Sequence, residues 1–210
     1  ALPAVTKVSQ IDSVNRFASR YLEGPVISFG GIHPQASNYK DILHDIKSMG
    51  LKGIKLHPDY QDTYFDDIRY ERIIDRASEL GLITVVHAGA DPKCPDDVHC
   101  TPQMARKVID EVRPENLVLA HMGGLVMWDE VEKYLVGQDV YFDTGVVLDR
   151  MPQEQFIRMV RSHGADRILF GTDSPWADQK NFVTILNSMP LTSDEREAIF
   201  SGNAMKLLGL

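Results

Sequence analysis

Three residues of this chain, His87, His121 and Asp173, close short apolar runs and are of the types that hold or serve a divalent metal ion. His87 ends Leu82-Ile83-Thr84-Val85-Val86 and is followed by Ala88-Gly89-Ala90-Asp91, a turn of mostly small residues that leaves the imidazole accessible. His121 ends Leu117-Val118-Leu119-Ala120, with Met122-Gly123-Gly124 behind it, and Asp173 ends Ile168-Leu169-Phe170-Gly171-Thr172. Taken singly, each histidine reads equally as a structural residue, and Asp173 as the cap of a helix opening at Ser174 and Pro175. Taken together they suggest hydrolysis. Neutral imidazole and carboxylate are good ligands for zinc and similar ions, and a catalytic site keeps one position open for water. The ion lowers the pKa of that water and polarises a substrate carbonyl, while a nearby carboxylate or histidine moves protons. Two histidines and one aspartate need further ligands to do this.

Other residues are candidates for lesser parts. His57 ends Lys52-Gly53-Ile54-Lys55-Leu56, and period-two alternation points Lys55 and His57 the same way. His57 is the better substrate contact, with Tyr60 and Gln61 just beyond it. Asp143 and Thr144 suit either a substrate contact or the support that metal-binding histidines need. Trp176 reads as pocket wall or as packing, and Asp66-Asp67 and Asp96-Asp97 as helix starts or solvated charge. Cys94, His99 and Cys100 share one polar loop, where a small metal site and ordinary loop residues are the two readings. His44 and His163 carry no assigned role.

The elements that must position these residues alternate regularly. Strands are predicted over 25–31, 52–57, 82–87, 116–121, 139–144 and 167–173, short and almost continuously apolar, as in a parallel sheet covered on both faces. Helices are predicted over 38–49, 67–80, 102–112, 127–135, 153–162 and 179–187, several followed by a capping glycine such as Gly50, Gly81 or Gly164. The strand repeat of about 22 to 33 residues is that of a βα unit. Polar residues tip successive strands, which favours a closed TIM-type (β/α)8 barrel, where every strand delivers its end to one mouth, over a doubly wound sheet with one switch point. One domain over 1–210 is expected, and the irregular stretch 92–102 is expected to overhang the mouth.

Net charge of −8 argues against nucleic acid or an anionic membrane as a partner, and no run of Lys and Arg supplies a basic patch. No apolar stretch approaches a membrane span and no secretory leader is seen, so the expected setting is the cytoplasm. Two cysteines are too few for a disulfide framework. The expected partner is a small-molecule substrate, and a homo-oligomer is compatible with the chain.

The motifs Gly30-Gly31-Ile32-His33-Pro34, Gly53-Ile54-Lys55-Leu56-His57-Pro58, Val86-His87-Ala88-Gly89, Ala120-His121-Met122-Gly123-Gly124 and Gly171-Thr172-Asp173-Ser174-Pro175-Trp176 resemble, in order and spacing, the amidohydrolase-2 family of the amidohydrolase superfamily. The likeness runs to Gly202-Asn203-Ala204 with Leu207 and Leu208, which resemble the family's final helix. It implies a metal-dependent hydrolase of carbonyl, amide or lactone substrates. His87 would be the metal ligand of the family's fifth strand, His121 the sixth-strand histidine that binds or orients the reacting water, and Asp173 the eighth-strand ligand and general base. The implied ion is zinc first, with manganese or another divalent ion as alternatives. His33 would face the mouth as a substrate contact, with a structural hydrogen-bonding role as the other reading, and Lys55 either invites comparison with the carboxylated lysine of some superfamily members or pairs with a carboxylate in the barrel. One departure stands out: the family's first strand carries His-x-His, which these residues lack, so they are expected to cover about strands 2 to 8 of the barrel, with Leu2 to Lys7 ending the second. Three other readings compete. Relatives with the same ligands decarboxylate aromatic acids. TatD-type deoxyribonucleases share Gly-x-His-Pro and Thr-Asp-x-Pro but carry a glutamate where this chain has Gly53 to His57. A barrel remnant without the first-strand ligands would bind without catalysing.

Overall fold

The computed structural model describes every residue from Ala1 to Leu210. Six strands form one parallel sheet: β1 (Gly30–Gly31), β2 (Gly53–Leu56), β3 (Ile83–Val86), β4 (Leu117–Leu119), β5 (Tyr141–Asp143) and β6 (Ile168–Leu169). Their spatial order is their order in sequence. A doubly wound sheet reverses direction at its switch point, and this one never does. The architecture is a partial (β/α)8 barrel. No helix is long and apolar enough to cross a membrane.

All six predicted strands are present but shorter than expected, and at β1 and the end of β2 the main chain is taken by other partners. Ser28 donates its N–H to the Tyr21 carbonyl (2.7 Å) and Phe29 to that of Ala1 (2.9 Å), so β1 begins only at Gly30. At the end of β2 the His57 N–H turns to the Gln61 side chain (3.2 Å). Leu2 to Lys7, expected as the end of a strand, lie beside β1 without ladder geometry of their own.

Side-chain alternation divides the sheet as the period of 2 requires. Ile54, Leu56, Val86, Leu117, Leu119, Phe142 and Ile168 point outward into a core of 41 buried residues shared with the helices. Phe29, Ile83, Val85 and Val118 point inward with Tyr141 and Leu169, and Leu207 and Leu208 pack onto this inner layer. By the same parity Lys55, His57, His87, Asp143 and Asp173 belong to the inner side.

The covering helices are α1 (Ile11–Ala18), α2 (Tyr39–Ser48), α3 (Ile68–Glu79), α4 (Pro102–Val112), α5 (Trp128–Tyr134), α6 (Gln153–His163), α7 (Gln179–Ser188), α8 (Ser193–Glu197) and α9 (Asn203–Leu208). Each predicted helix is found to within a residue or so of its expected ends. Asp67, Thr101 and Asp178 cap α3, α4 and α7 by accepting backbone N–H groups. No helix opens at Ser174. The helix expected there begins at Gln179, so Asp173 is not a cap. The helices α1 and α8 were not anticipated. In α1, Asn15 acts as a surrogate strand for Gly31: its side-chain amide donates to the Gly31 carbonyl (3.1 Å) and accepts from the Gly31 N–H (2.8 Å).

Gln61, expected near the mouth, is instead a buried clamp. Its amide nitrogen donates to the carbonyls of Val5 and Ile32 (both 2.7 Å), and its oxygen accepts from His57 N–H and from Tyr70 Oη (2.8 Å). Gln61→Ala would leave all four groups without a partner. It is expected to lower the unfolding free energy by about 3 kcal/mol, measurable by urea denaturation.

Candidate metal centre at the barrel mouth

The strand ends deliver their polar residues to one cavity of about 310 Å³, lined among others by Lys55, His57, Tyr60, His87, Asp91, Lys93, His121, Arg150, Asp173 and Trp176. His57 and His87 arrive directly from β2 and β3. His121 does not, because alternation would send it outward with Leu117 and Leu119. Left-handed backbone at His121 (φ 60°) and Met122 (φ 54°) turns the chain so that the ring lines the cavity. Val146 and Asp173, both on the lining, also have φ of 56°. Non-glycine residues held there cost on the order of 1 kcal/mol each, and such strain collects at functional sites. Val126 shares this backbone (φ 56°) but is 62% exposed and packs little. Val126→Asn is therefore expected to raise the unfolding free energy by about 1 kcal/mol, again read from urea melts.

Loop contacts fix the β3 side of the mouth. Gly89 donates to the Cys100 carbonyl (2.9 Å), Leu125 to Ala88 (2.8 Å) and Ala90 to Leu125 (3.1 Å). Gly89 has φ of 86°, and a side chain there would collide with the main chain of Leu125. This crossing brings Asp91 beneath the loop, buried at 5% exposure.

The rings form a column. Tyr60 stacks on His57 (centroids 3.7 Å apart) and His57 on His87 (4.2 Å), each pair within 6° of parallel, and Lys93 Nζ lies 4.7 Å from the Tyr60 centroid. Burial, reinforced by Lys55 and His121, pushes His57 down to about 3. Burial, together with His57 and His121, holds His87 well below the ordinary histidine range. Both rings are neutral at pH 7.

Proton positions follow from the hydrogen bonds. The Gly145 carbonyl can only accept, so His121 Nδ1, 2.7 Å away, carries a proton. A neutral His121 then offers a lone pair at Nε2, and His87 Nδ1, 3.0 Å from it, donates. His87 is left with a bare lone pair at Nε2. That buried nitrogen has no hydrogen-bond partner and faces Asp59 Oδ2 at 3.8 Å and Asp91 Oδ2 at 4.0 Å. Asp59 Oδ2 is unpartnered as well, while its Oδ1 accepts from the His99 N–H (3.2 Å). His57 Nε2 lies 3.7 Å from Asp91 Oδ2, and one donor atom from each of His57, His87 and Asp91 falls within 4.8 Å of the others. Acceptors that converge without a donor are unstable in a buried site unless a cation lies among them. Two imidazoles with carboxylates are a suitable donor set for a divalent ion, so the residues present fit one.

Most of the expected site residues are thus brought to one cavity. His57, Tyr60, His87, His121, Asp173 and Trp176 all line it. His33 does not: its Nδ1 accepts the Gln35 N–H (3.2 Å), because the chain turns back at Pro34 and folds the ring onto its own loop. Of the two readings of His33, this geometry fits the structural hydrogen-bonding one. Both nitrogens of His121 are engaged, which suits an orienting role better than a ligand's. Asp173 is exposed at the edge of the cavity and lies outside the three-donor group, whereas His57, expected to touch substrate, is inside it. Asp143 supports the site by accepting the N–H groups of His121 and Gly145 (2.9 Å each), and Thr144 bonds Gly171. Sequence reasoning missed Asp91 and Asp59. The only signal for Asp91 was its place four residues after His87, in the loop that leaves the strand. His99 binds Asp59 and Cys100 is in the core, so the loop cysteines and His99 form no metal site of their own.

The amidohydrolase family model matches residues 13–210. The chain belongs to the amidohydrolase family. Among the solved structures that share its fold, three illustrate the likeness. A 5-carboxyvanillate decarboxylase from Novosphingobium aromaticivorans, complexed with manganese and 4-hydroxy-3-methoxy-5-nitrobenzoic acid, superposes with a TM-score of 0.78 at 15% identity, over 97% of this chain and 70% of that one. A 2,6-dihydroxybenzoate decarboxylase from Rhizobium gives 0.72 at 17% identity, covering 96% and 77%. A TIM-barrel protein from Bordetella bronchiseptica gives 0.74 at 22% identity, covering 94% and 71%. At these identities the amidohydrolase likeness is one of fold. No protein of curated function matches the sequence.

Proposed function

We propose that this amidohydrolase is a metal-dependent enzyme acting on a small molecule, with His87, His57 and Asp91 as protein donors to one zinc or manganese ion. The observation that carries the reading is the bare, buried lone pair of His87 Nε2, which faces the unpartnered Oδ2 of Asp59 and the buried carboxylate of Asp91. When bound, the ion supplies Lewis acidity and a water acidified towards neutrality at the cavity floor. His121 holds the His87 ring in the tautomer that frees Nε2. Asp173, exposed to the cavity, is the general base that takes a proton from the attacking water or returns one to the leaving group. Tyr60 and Trp176 wall the substrate. The reaction is hydrolysis of a small substrate bearing a carbonyl, an amide or a lactone.

A second reading, decarboxylation, draws support from the Novosphingobium and Rhizobium structures, both decarboxylases, the former holding manganese. The acidic chain disfavours a deoxyribonuclease, and the donor set disfavours a barrel that only binds. Elemental analysis of the purified protein tests the proposal, with turnover of lactones, anilides and hydroxybenzoates assayed before and after chelation. About one zinc or manganese per chain is expected, together with turnover that chelation removes and the ion restores. A protein without stoichiometric metal after reconstitution would contradict it. Evolution of carbon dioxide instead of ester or amide cleavage would select the second reading. Under either, Asp173→Asn is expected to slow turnover on the order of 100-fold or more.

A further inference from the structure

We propose that Val146 is a specificity-determining residue, an apolar wall that receives an uncharged hydrocarbon substituent of the substrate beside the reacting bond. The inference rests on the metal-dependent reading only for calling that guest a substrate. Three observations meet on this residue. Its backbone is left-handed (φ 56°), a conformation in which a β-branched side chain is an outlier and which glycine or asparagine adopts at less cost. It is 5% exposed, yet it belongs to none of the three clusters of buried apolar side chains, and Ala120 is the only other buried apolar residue of which that is true. It lines the cavity. A valine that strains the main chain and joins no core is explained by what it meets in that cavity.

The turn that carries Val146 passes beside the chemistry. Val147 donates its N–H to the Thr144 carbonyl (3.1 Å), which closes a turn with Gly145 and Val146 at its centre. Positive φ at the second central position of a turn is ordinarily glycine's place. A Cβ added at Gly145 would lie 3.3 Å from Asp173 Cβ and 3.4 Å from His121 Nδ1, so the turn is packed against both. A group resting on Val146 is therefore attached close to the bond that reacts. Of the other apolar residues on the lining, Leu125 belongs to the main core, and Leu2 and Trp176 stand 44% and 72% exposed. Val126 supplies an internal control: it is the same residue with the same φ, but it lies off this cavity and 62% exposed.

Calorimetric titration of the metal-loaded protein with acetohydroxamate and butyrohydroxamate, chelating probes that differ only in the length of their hydrocarbon chain, tests this. Butyrohydroxamate is expected to bind about tenfold tighter, since each buried methylene is worth roughly fourfold. Val146→Asn is expected to cut that preference to about twofold, and Val126→Asn to leave it whole. In chelated protein Val146→Asn is expected to raise the urea midpoint as Val126→Asn does, because relief of the backbone is not offset by lost core packing. A midpoint below that of the unaltered protein overturns the proposal, as the valine would then be serving the fold. So does equal binding of the two probes by the unaltered protein, or a preference that survives Val146→Asn. Acetamide and butyramide, which need no ion, repeat the comparison on chelated protein by saturation-transfer NMR. A Val146-dependent preference there, with hydroxamates binding no tighter than the amides once metal is restored, would leave the wall standing and remove the metal-dependent reading.

Discussion

His87→Ala is expected to weaken binding of zinc or manganese on the order of 1,000-fold, beyond the 10–100-fold typical of losing a partner outside the ligand set. The substitution removes the one nitrogen whose lone pair is fixed by the hydrogen-bond chain from the Gly145 carbonyl through His121. It also leaves Asp59 Oδ2 and Asp91 Oδ2 with no imidazole between them. Competition with a chromophoric chelator measures the affinity directly, without any substrate. Asp91→Asn is expected to fall in the same class. His121→Asn belongs to the lesser class, since it frees the His87 ring to change tautomer but removes no donor. Asp173→Asn is expected to leave the affinity unchanged. Loss of the ion in that variant would return Asp173 to the ligand set that the family resemblance gave it.

Acid is expected to destabilise the metal-free protein strongly. His33, His57, His87 and His163 are all held below the ordinary histidine range, chiefly by burial, and His57 falls to about 3. Above pH 6.5 neither the folded nor the unfolded chain protonates them, and stability is flat with respect to these groups. As pH falls from 6.5 towards 3 the unfolded chain takes up protons that the folded chain refuses, so stability is lost with each step. One unit of depression corresponds to about 1.4 kcal/mol, which makes the combined loss several kcal/mol. Urea midpoints at pH 7.5, 6 and 4.5 measure it, and His57→Gln is expected to flatten part of the slope. A level profile across that range would mean that these rings are not buried and neutral.

The barrel was readable because its strands announce themselves. Leu82 to Val86 and Leu117 to Ala120 are apolar on both sides, and a histidine at the end of such a run has few places to be except a strand tip. The direction of His121 was not readable, since it depends on two left-handed residues that nothing in Met122-Gly123-Gly124 requires. Asp91 and Asp59 were hidden for a related reason. Their approach to His87 is set by where a loop crosses another loop and where a short turn ends, and local pattern carries no record of either. His33 and Gln61 are the opposite case. Both stand beside strand tips, yet the hydrogen-bonding demand of their own loops claims them first.

The crossing at Gly89 and Leu125 has a kinetic meaning. Main-chain bonds tie the β3 and β4 loops into a fixed sill under Asp91, whereas across the opening Trp176 stands 72% exposed on a segment without such ties. Trp176→Ala, which removes bulk from this side of the opening, is expected to speed arrival and departure of a guest while leaving the donors and their protons untouched.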